Sequence, residues 1–175
     1  MEPPPRILAP MTPPPVRLLF VCMGNICRSP TAEGVMAHLL ERDGLTDAVT
    51  LDSSGTGGWH AGSPPDERAT SAAAVRGIAL QGAARQLRAS DFDDFDLLLC
   101  ADADNLRDVR ALAPDGAARG RVRRLREFDR EAVATGDLDI PDPYYGGADG
   151  FEDVLDLVDR ACRGLLEDLR KQGRL

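Results

Sequence analysis

An almost unbroken apolar run, Val16-Arg17-Leu18-Leu19-Phe20-Val21, stops at Cys22, and a few residues later Pro30 opens a helical pattern that lasts to Arg42. A strand that is apolar at nearly every position is buried on both faces, as strands inside parallel sheets are. A short turn leading from such a strand into a helix begins a βαβ unit. The alternation then repeats. Val49 to Ser53 reads as a second strand, Asp66 to Arg76 as a helix stopped by Gly77, and Leu97 to Cys100 as a third buried strand. Asp102 to Leu112 reads as a helix ending before Pro114, and Val122 to Leu125 as a weaker fourth strand. Phe151, Val154, Leu155, Val158, Cys162, Leu165, Leu166 and Leu169 fall on one stripe at helical spacing and predict a closing amphipathic helix. The expected fold is α/β: a single domain over residues 16–175, with a doubly wound four-stranded parallel sheet and helices on both faces. Residues 1–15, with prolines at 3, 4, 5, 10, 13, 14 and 15, are expected to form a disordered leader.

Charge narrows the function. The net charge of −8 argues against a general nucleic-acid binder, which needs a basic surface, and it means that an anionic substrate must be held by a local feature. The Arg-rich run from Arg119 to Arg130 reads as a solvated strand edge and loop. No apolar run approaches the length of a membrane span, so no membrane partner is expected and the chain is read as cytoplasmic. Of the four cysteines, Cys100 and Cys162 fall in apolar patterns and read as core thiols, and no disulfide framework is expected. His38 and His60 stand alone, without the cluster that a zinc site needs, so no metal is expected.

In an open parallel sheet, ligands bind beyond the carboxyl ends of the strands where the order reverses. The turn after the first strand, Cys22-Met23-Gly24-Asn25-Ile26-Cys27-Arg28-Ser29-Pro30, is therefore the first place to look. A short loop running into a helix lets its amides converge, and the helix N-terminus adds positive potential, which together make an anion cradle. Gly24 and Asn25 are the residue types that tolerate left-handed backbone angles in a tight loop. Ser29 is expected to cap the helix, with Pro30 in its first turn. Arg28 supplies a planar fork that matches phosphate oxygens in pairs. Cys22 is aimed into the cradle, where nearby positive potential favours a thiolate and Ser29 can donate a hydrogen bond to it. A lone strand-end cysteine is more often only buried, but that reading leaves the rest of the loop unaccounted for.

Cys22 and Arg28, separated by five residues, match the Cys-x5-Arg signature of protein-tyrosine phosphatases. The longer string from Val21 to Glu33 resembles the low-molecular-weight branch of that family, in its bacterial form. The resemblance implies a cysteine-dependent hydrolase of aryl phosphate monoesters that acts through a phosphocysteine and needs no cofactor. It implies substrate contacts at Met23, Gly24, Asn25, Ile26, Cys27 and Ser29. It also implies a general acid in an Asp-Pro pair before the last helix, here Asp142 in Ile140-Pro141-Asp142-Pro143-Tyr144-Tyr145. Burial beside the two tyrosines is expected to raise the pKa of Asp142. Tyr144, Tyr145 and Trp59 are candidates for a slot that accepts a phenyl ring. Ser53 is expected to hydrogen-bond Asn25, and Asp102 and Asn105 to steady nearby turns. The implied partner is a tyrosine-phosphorylated protein, with a bacterial tyrosine kinase among the candidates.

Two alternatives stay open at this level. Cys27 shares a loop with Cys22, so a reversible disulfide that protects the nucleophile is one reading and a small loop filler is the other. Cys100-Ala101-Asp102-Ala103-Asp104-Asn105 is similar to a segment of thiol-dependent arsenate reductases, but that pattern expects another cysteine where this chain has Leu106, Arg107 and Asp108. The long stretch from Arg126 to Gly150 shows little periodicity and is expected to be a functional or disordered loop.

Overall fold

The computed structural model describes residues 11–175. The first ten residues of the expected leader lie outside the described residues, and residues 11–15 form no regular element before the first strand. Four strands, β1 (Val16–Cys22), β2 (Val49–Gly55), β3 (Leu97–Cys100) and β4 (Val122–Arg124), pair in parallel in the order β2-β1-β3-β4. Among the described residues seven helices surround them: α1 (Arg28–Arg42), α2 (Glu67–Val75), α3 (Asp91–Asp94), α4 (Ala103–Leu112), α5 (Gly116–Gly120), α6 (Arg130–Thr135) and α7 (Ala148–Lys171). The expected architecture is present. The chain leaves β1 towards β2 on one side and reaches β3 on the other, so the carboxyl end of β1 is the switch point of the sheet.

Side-chain alternation along β1 builds two cores. Leu18, Phe20 and Cys22 face α1 and α7, where they meet Val35, Met36, Leu39, Val158, Cys162 and Leu165. Leu19 and Val21 face the other way, against Phe92, Phe95, Leu98, Cys100, Val109 and Val122. A strand buried on both sides is what the apolar run demanded. The α7 stripe is buried from Phe151 to Leu169. Each such side chain contributes roughly 1.5–3 kcal/mol on burial. An exposed pair such as Lys171–Glu167, at 3.0 Å, is screened by water and contributes little. Helix α7 is therefore held by its apolar face.

Several boundaries differ from expectation. Helix α1 starts at Arg28, not Pro30, and its N-cap is Cys27, which makes no side-chain cap. Ser29 is unavailable for capping because its hydroxyl is turned back into the loop (below). The stretch from Arg126 to Gly150 is only partly loop. It overlaps a 3-10 turn at Leu125–Phe128 and contains α6, both too short to show a helical period in sequence. Helix α6 is capped by Asp129, which accepts the N–H groups of Glu131 and Ala132, and it ends at Gly136 with φ 78°.

Helix α7 crosses the 3-10 turn at Gly164, where a Cβ would overlap the carbonyl oxygen of Phe128. Gly164→Ala is expected to force α7 outward and to destabilise the fold by about 1–3 kcal/mol. Urea unfolding checks this; an unchanged midpoint contradicts the close approach.

Candidate active site

Four of the six carbonyls in the loop from Cys22 to Cys27 are taken by donors outside it. Cys22 C=O accepts Thr56 N–H at 2.9 Å, Met23 C=O accepts Gly57 N–H at 3.0 Å, and Ile26 C=O accepts Asp66 N–H at 2.8 Å. Cys27 C=O accepts both the N–H (3.2 Å) and the hydroxyl (2.7 Å) of Thr31. The N–H groups of Met23, Gly24, Ile26 and Cys27 have no acceptor among the described residues. A loop with four oxygens bonded outward and four N–H groups left unpaired can act as an anion cradle.

Asn25 makes the turn possible. It is the one non-glycine residue with positive φ (57°) among the described residues, and asparagine tolerates that region better than most. Gly24 does not adopt positive φ. Its lack of a side chain serves a neighbour instead, because a Cβ there would sit 3.0 Å from the ring of His60.

The Asn25 side chain is locked on both ends. Its Oδ1 accepts the N–H of Arg85 at 2.9 Å, which fixes the amide orientation, so Nδ2 donates to Ser29 Oγ at 2.8 Å and to Ser53 Oγ at 3.1 Å. The Ser53 hydroxyl donates to Glu33 at 2.6 Å. With its oxygen already accepting from Asn25, Ser29 is free to turn its proton to Cys22 Sγ, 3.0 Å away. The N–H of Asn25 also reaches that sulfur, at 3.3 Å. Burial pushes the Glu33 carboxyl above its ordinary range, partly offset by the Ser53 bond.

Arg28 is buried beside the loop. Its Nη1 donates to Asp102 Oδ2 at 2.6 Å and to the carbonyl of Ile140 at 2.9 Å, which uses both hydrogens of that nitrogen. Nε and Nη2 are left as the open edge of the fork, with Asp142 Oδ2 at 3.6 Å from Nη2. Burial works against the guanidinium charge, but Cys22, Asp102 and Asp142 outweigh it and hold its pKa above the ordinary value.

One cavity of about 170 Å³ joins these groups; it is lined by Cys22, Met23, Gly24, Ile26, Cys27, Arg28, His60, Asp142, Tyr144 and Tyr145. Larger hollows exist, including one of about 460 Å³ beside α7, but that one holds no nucleophile and its arginines and lysine are ion-paired. Tyr144 and Tyr145 meet edge to face at 4.8 Å, and Arg68 lies 5.3 Å over the Tyr144 ring while donating to the Tyr144 carbonyl at 3.0 Å. Asp142 Oδ1 accepts the N–H of Tyr144 at 3.1 Å.

The sequence-derived set is thus mostly brought together, with two corrections. Asn25 and Ser29 do not line the cavity; they sit behind the loop and hold it. Trp59 is 72% exposed and outside the lining, its ring lying over Gly57, where a Cβ would overlap it. Its neighbour His60 lines the cavity instead. The glycine-rich setting of residues 57–60 marked the loop but not which side chain turns inward.

The low molecular weight phosphotyrosine protein phosphatase family model matches residues 17–175. This chain belongs to that family. It is 51% identical over 156 residues to the low molecular weight protein-tyrosine-phosphatase of Streptomyces coelicolor, covering 89% of this chain and 94% of that one. It is 40% identical to the low molecular weight protein-tyrosine-phosphatase YfkJ of Bacillus subtilis, covering 91% and 99%. The crystal structure of YfkJ superposes with a TM-score of 0.82 at 37% identity, covering 90% and 96%. A protein tyrosine phosphatase from Entamoeba histolytica, with Hepes in its active site, superposes at 0.84 and 34% identity, covering 91% and 99%.

All four cysteines of this family member are free. Burial, followed by the charges of Asp66, Cys22 and Asp142, pushes the Cys27 thiol up to about 12, and burial raises those of Cys100 and Cys162 as well. Since only the thiolate reacts, all three stay protonated and inert near neutrality. Native protein treated with iodoacetamide at about pH 7 is expected to carry one adduct, on Cys22, and inorganic phosphate should suppress it. Peptide mass spectrometry reads the result; alkylation of Cys27 at a comparable rate contradicts it.

Proposed function

We propose that this chain hydrolyses phosphotyrosine through Cys22, Arg28 and Asp142, with residues 16–175 as its phosphatase domain. What carries the reading is that a sulfur, a row of unpaired N–H groups, the open edge of one guanidinium and one carboxylate share a single cavity. The phosphate dianion docks on the amides of the loop and on Nε and Nη2 of Arg28. Cys22 Sγ attacks phosphorus as the thiolate; the S–P bond forms as the P–O(aryl) bond breaks, and Asp142 gives its proton to the leaving phenolic oxygen. In the second step Asp142 takes a proton from water, whose oxygen attacks phosphorus; the S–P bond breaks and inorganic phosphate leaves. Phosphoryl transfer asks for positioning and for charge on the equatorial oxygens to be met, and the fixed amides and Arg28 do both.

The sulfur lies at the floor of the cavity and Tyr144 and Tyr145 stand at its side, which suits an aryl ester better than the shorter phosphoserine. The substrate is then a tyrosine-phosphorylated protein, and we infer that a bacterial tyrosine kinase is one. Four free thiols fit a reducing compartment, which supports a cytoplasmic setting. No helix among the described residues is long and apolar enough to cross a membrane.

Cys22→Ser is expected to abolish p-nitrophenyl phosphate turnover, since a serine hydroxyl at this site lacks a base to activate it. Residual turnover at the wild-type rate would place the nucleophile elsewhere. Asp142→Ala is expected to lower kcat/KM on a phosphotyrosine peptide by about 10²–10⁴. A loss below tenfold removes Asp142 from the mechanism.

A further inference from the structure

The general acid must stand at a fixed distance from the leaving oxygen, yet Asp142 has little to hold it. Its carboxylate has the N–H of Tyr144 at 3.1 Å and Arg28 Nη2 at 3.6 Å, and the same arginine edge is required by phosphate. Its placement therefore comes from the chain on either side: Arg68 holds the Tyr144 carbonyl after it at 3.0 Å, and the segment before it carries more tethers.

That segment is tethered at two consecutive residues. Ile140, buried, donates its N–H to Ala101 C=O at 2.8 Å and accepts Arg28 Nη1 on its own carbonyl at 2.9 Å. Asp139 accepts Arg126 Nη1 on its carbonyl at 2.6 Å. The Asp139 side chain then reaches across to α4, where Oδ1 accepts the N–H of Ala103 at 3.0 Å and Arg124 Nη1 at 3.1 Å. Ala103 opens α4, and its neighbour Asp102 caps that helix and holds Arg28. Two adjacent residues at one helix start thus anchor the phosphate-binding arginine and the acid-bearing loop. From Asp139 to Asp142 the backbone has little freedom. Pro141 and Pro143 fix their own φ and restrict Ile140 and Asp142 before them.

We propose that Asp139 is a positioning residue for the general acid: its bonds to Ala103 and Arg124 set where Asp142 stands over the cradle. The proposal rests on Asp142 being the acid. Asp139 is half exposed, and an exposed ion pair contributes little to stability, so its removal loosens the loop without unfolding the protein. A mere surface aspartate would affect no step. A general structural role would slow every substrate alike. A misplaced acid has its own signature: the loss grows with the basicity of the leaving oxygen, because acidic phenols depart with little help.

The test is kcat/KM, which reports formation of the phosphocysteine, across aryl phosphates from p-nitrophenyl phosphate to phenyl phosphate. It is run on wild type, Asp139→Ala, Asp142→Ala and the double variant. Asp139→Ala is expected to lose about tenfold on phenyl phosphate and under about threefold on p-nitrophenyl phosphate. Inhibition by inorganic phosphate should not change, and Asp139→Ala should add nothing in the absence of Asp142. Arg124→Gln, which removes one of the two bonds, should give the same pattern more weakly and serves if Asp139→Ala folds poorly. Equal loss on all substrates, no loss at all, or full additivity with Asp142→Ala overturns the proposal. A flat leaving-group profile for Asp142→Ala itself instead overturns the assignment of the acid.

Discussion

The burial of Arg28 is the constraint around which the site is built. A guanidinium taken out of water costs several kcal/mol unless its hydrogens are met, and breaking a buried pair is costlier still. Here one nitrogen is fully satisfied, by Asp102 from the start of α4 and by the carbonyl of Ile140 from the loop before α7. Those bonds hold the start of α1, the start of α4 and the loop that carries Asp142 together at one point. They also decide which edge of the guanidinium is left for a ligand. An arginine satisfied on both edges would be a structural strut, and one satisfied on neither would not stay buried.

A second layer of order lies behind the loop. Asn25 takes a strained backbone conformation, and three side-chain bonds over-determine it: one from Arg85, one to Ser29 and one to Ser53. Arg85 is itself pinned, with its guanidinium bonded to Asp52 on β2 and to the fully buried Asp91. The sulfur of Cys22 is therefore reached by a hydrogen-bond chain that runs back into the sheet, not by a single mobile hydroxyl.

Much of this was legible in the sequence because it rests on local rules. The apolar run of β1 announced a strand buried on both faces, and β3 at Leu97–Cys100 matches its expected bounds, since a short apolar run between Asp96 and Asp102 leaves little choice. The turn after β1 was marked as a candidate site by its residue types, and the cavity lies there. What stayed hidden depended on long-range contacts. Nothing in the string says that Ser29 turns its hydroxyl to Cys22 instead of capping α1, or that Gly24 makes room for the His60 ring. Trp59 was the conspicuous aromatic of its loop, yet His60 is the side chain that faces inward. Asp139 was lost among neighbouring acids, because its role depends on Ala103 and Arg124, far off in sequence.

The N–H groups of Met23, Gly24, Ile26 and Cys27 have no acceptor among the described residues, and all four residues line the cavity. A cradle shaped for a phosphoryl group cannot tell the one it has just released from the one it is waiting for. On the proposed mechanism, orthophosphate competes with the next ester, and throughput falls as the reaction's own end product accumulates. Occupancy by that same ion also shifts the folding equilibrium toward the native state, so the feature that brakes turnover protects the molecule that performs it.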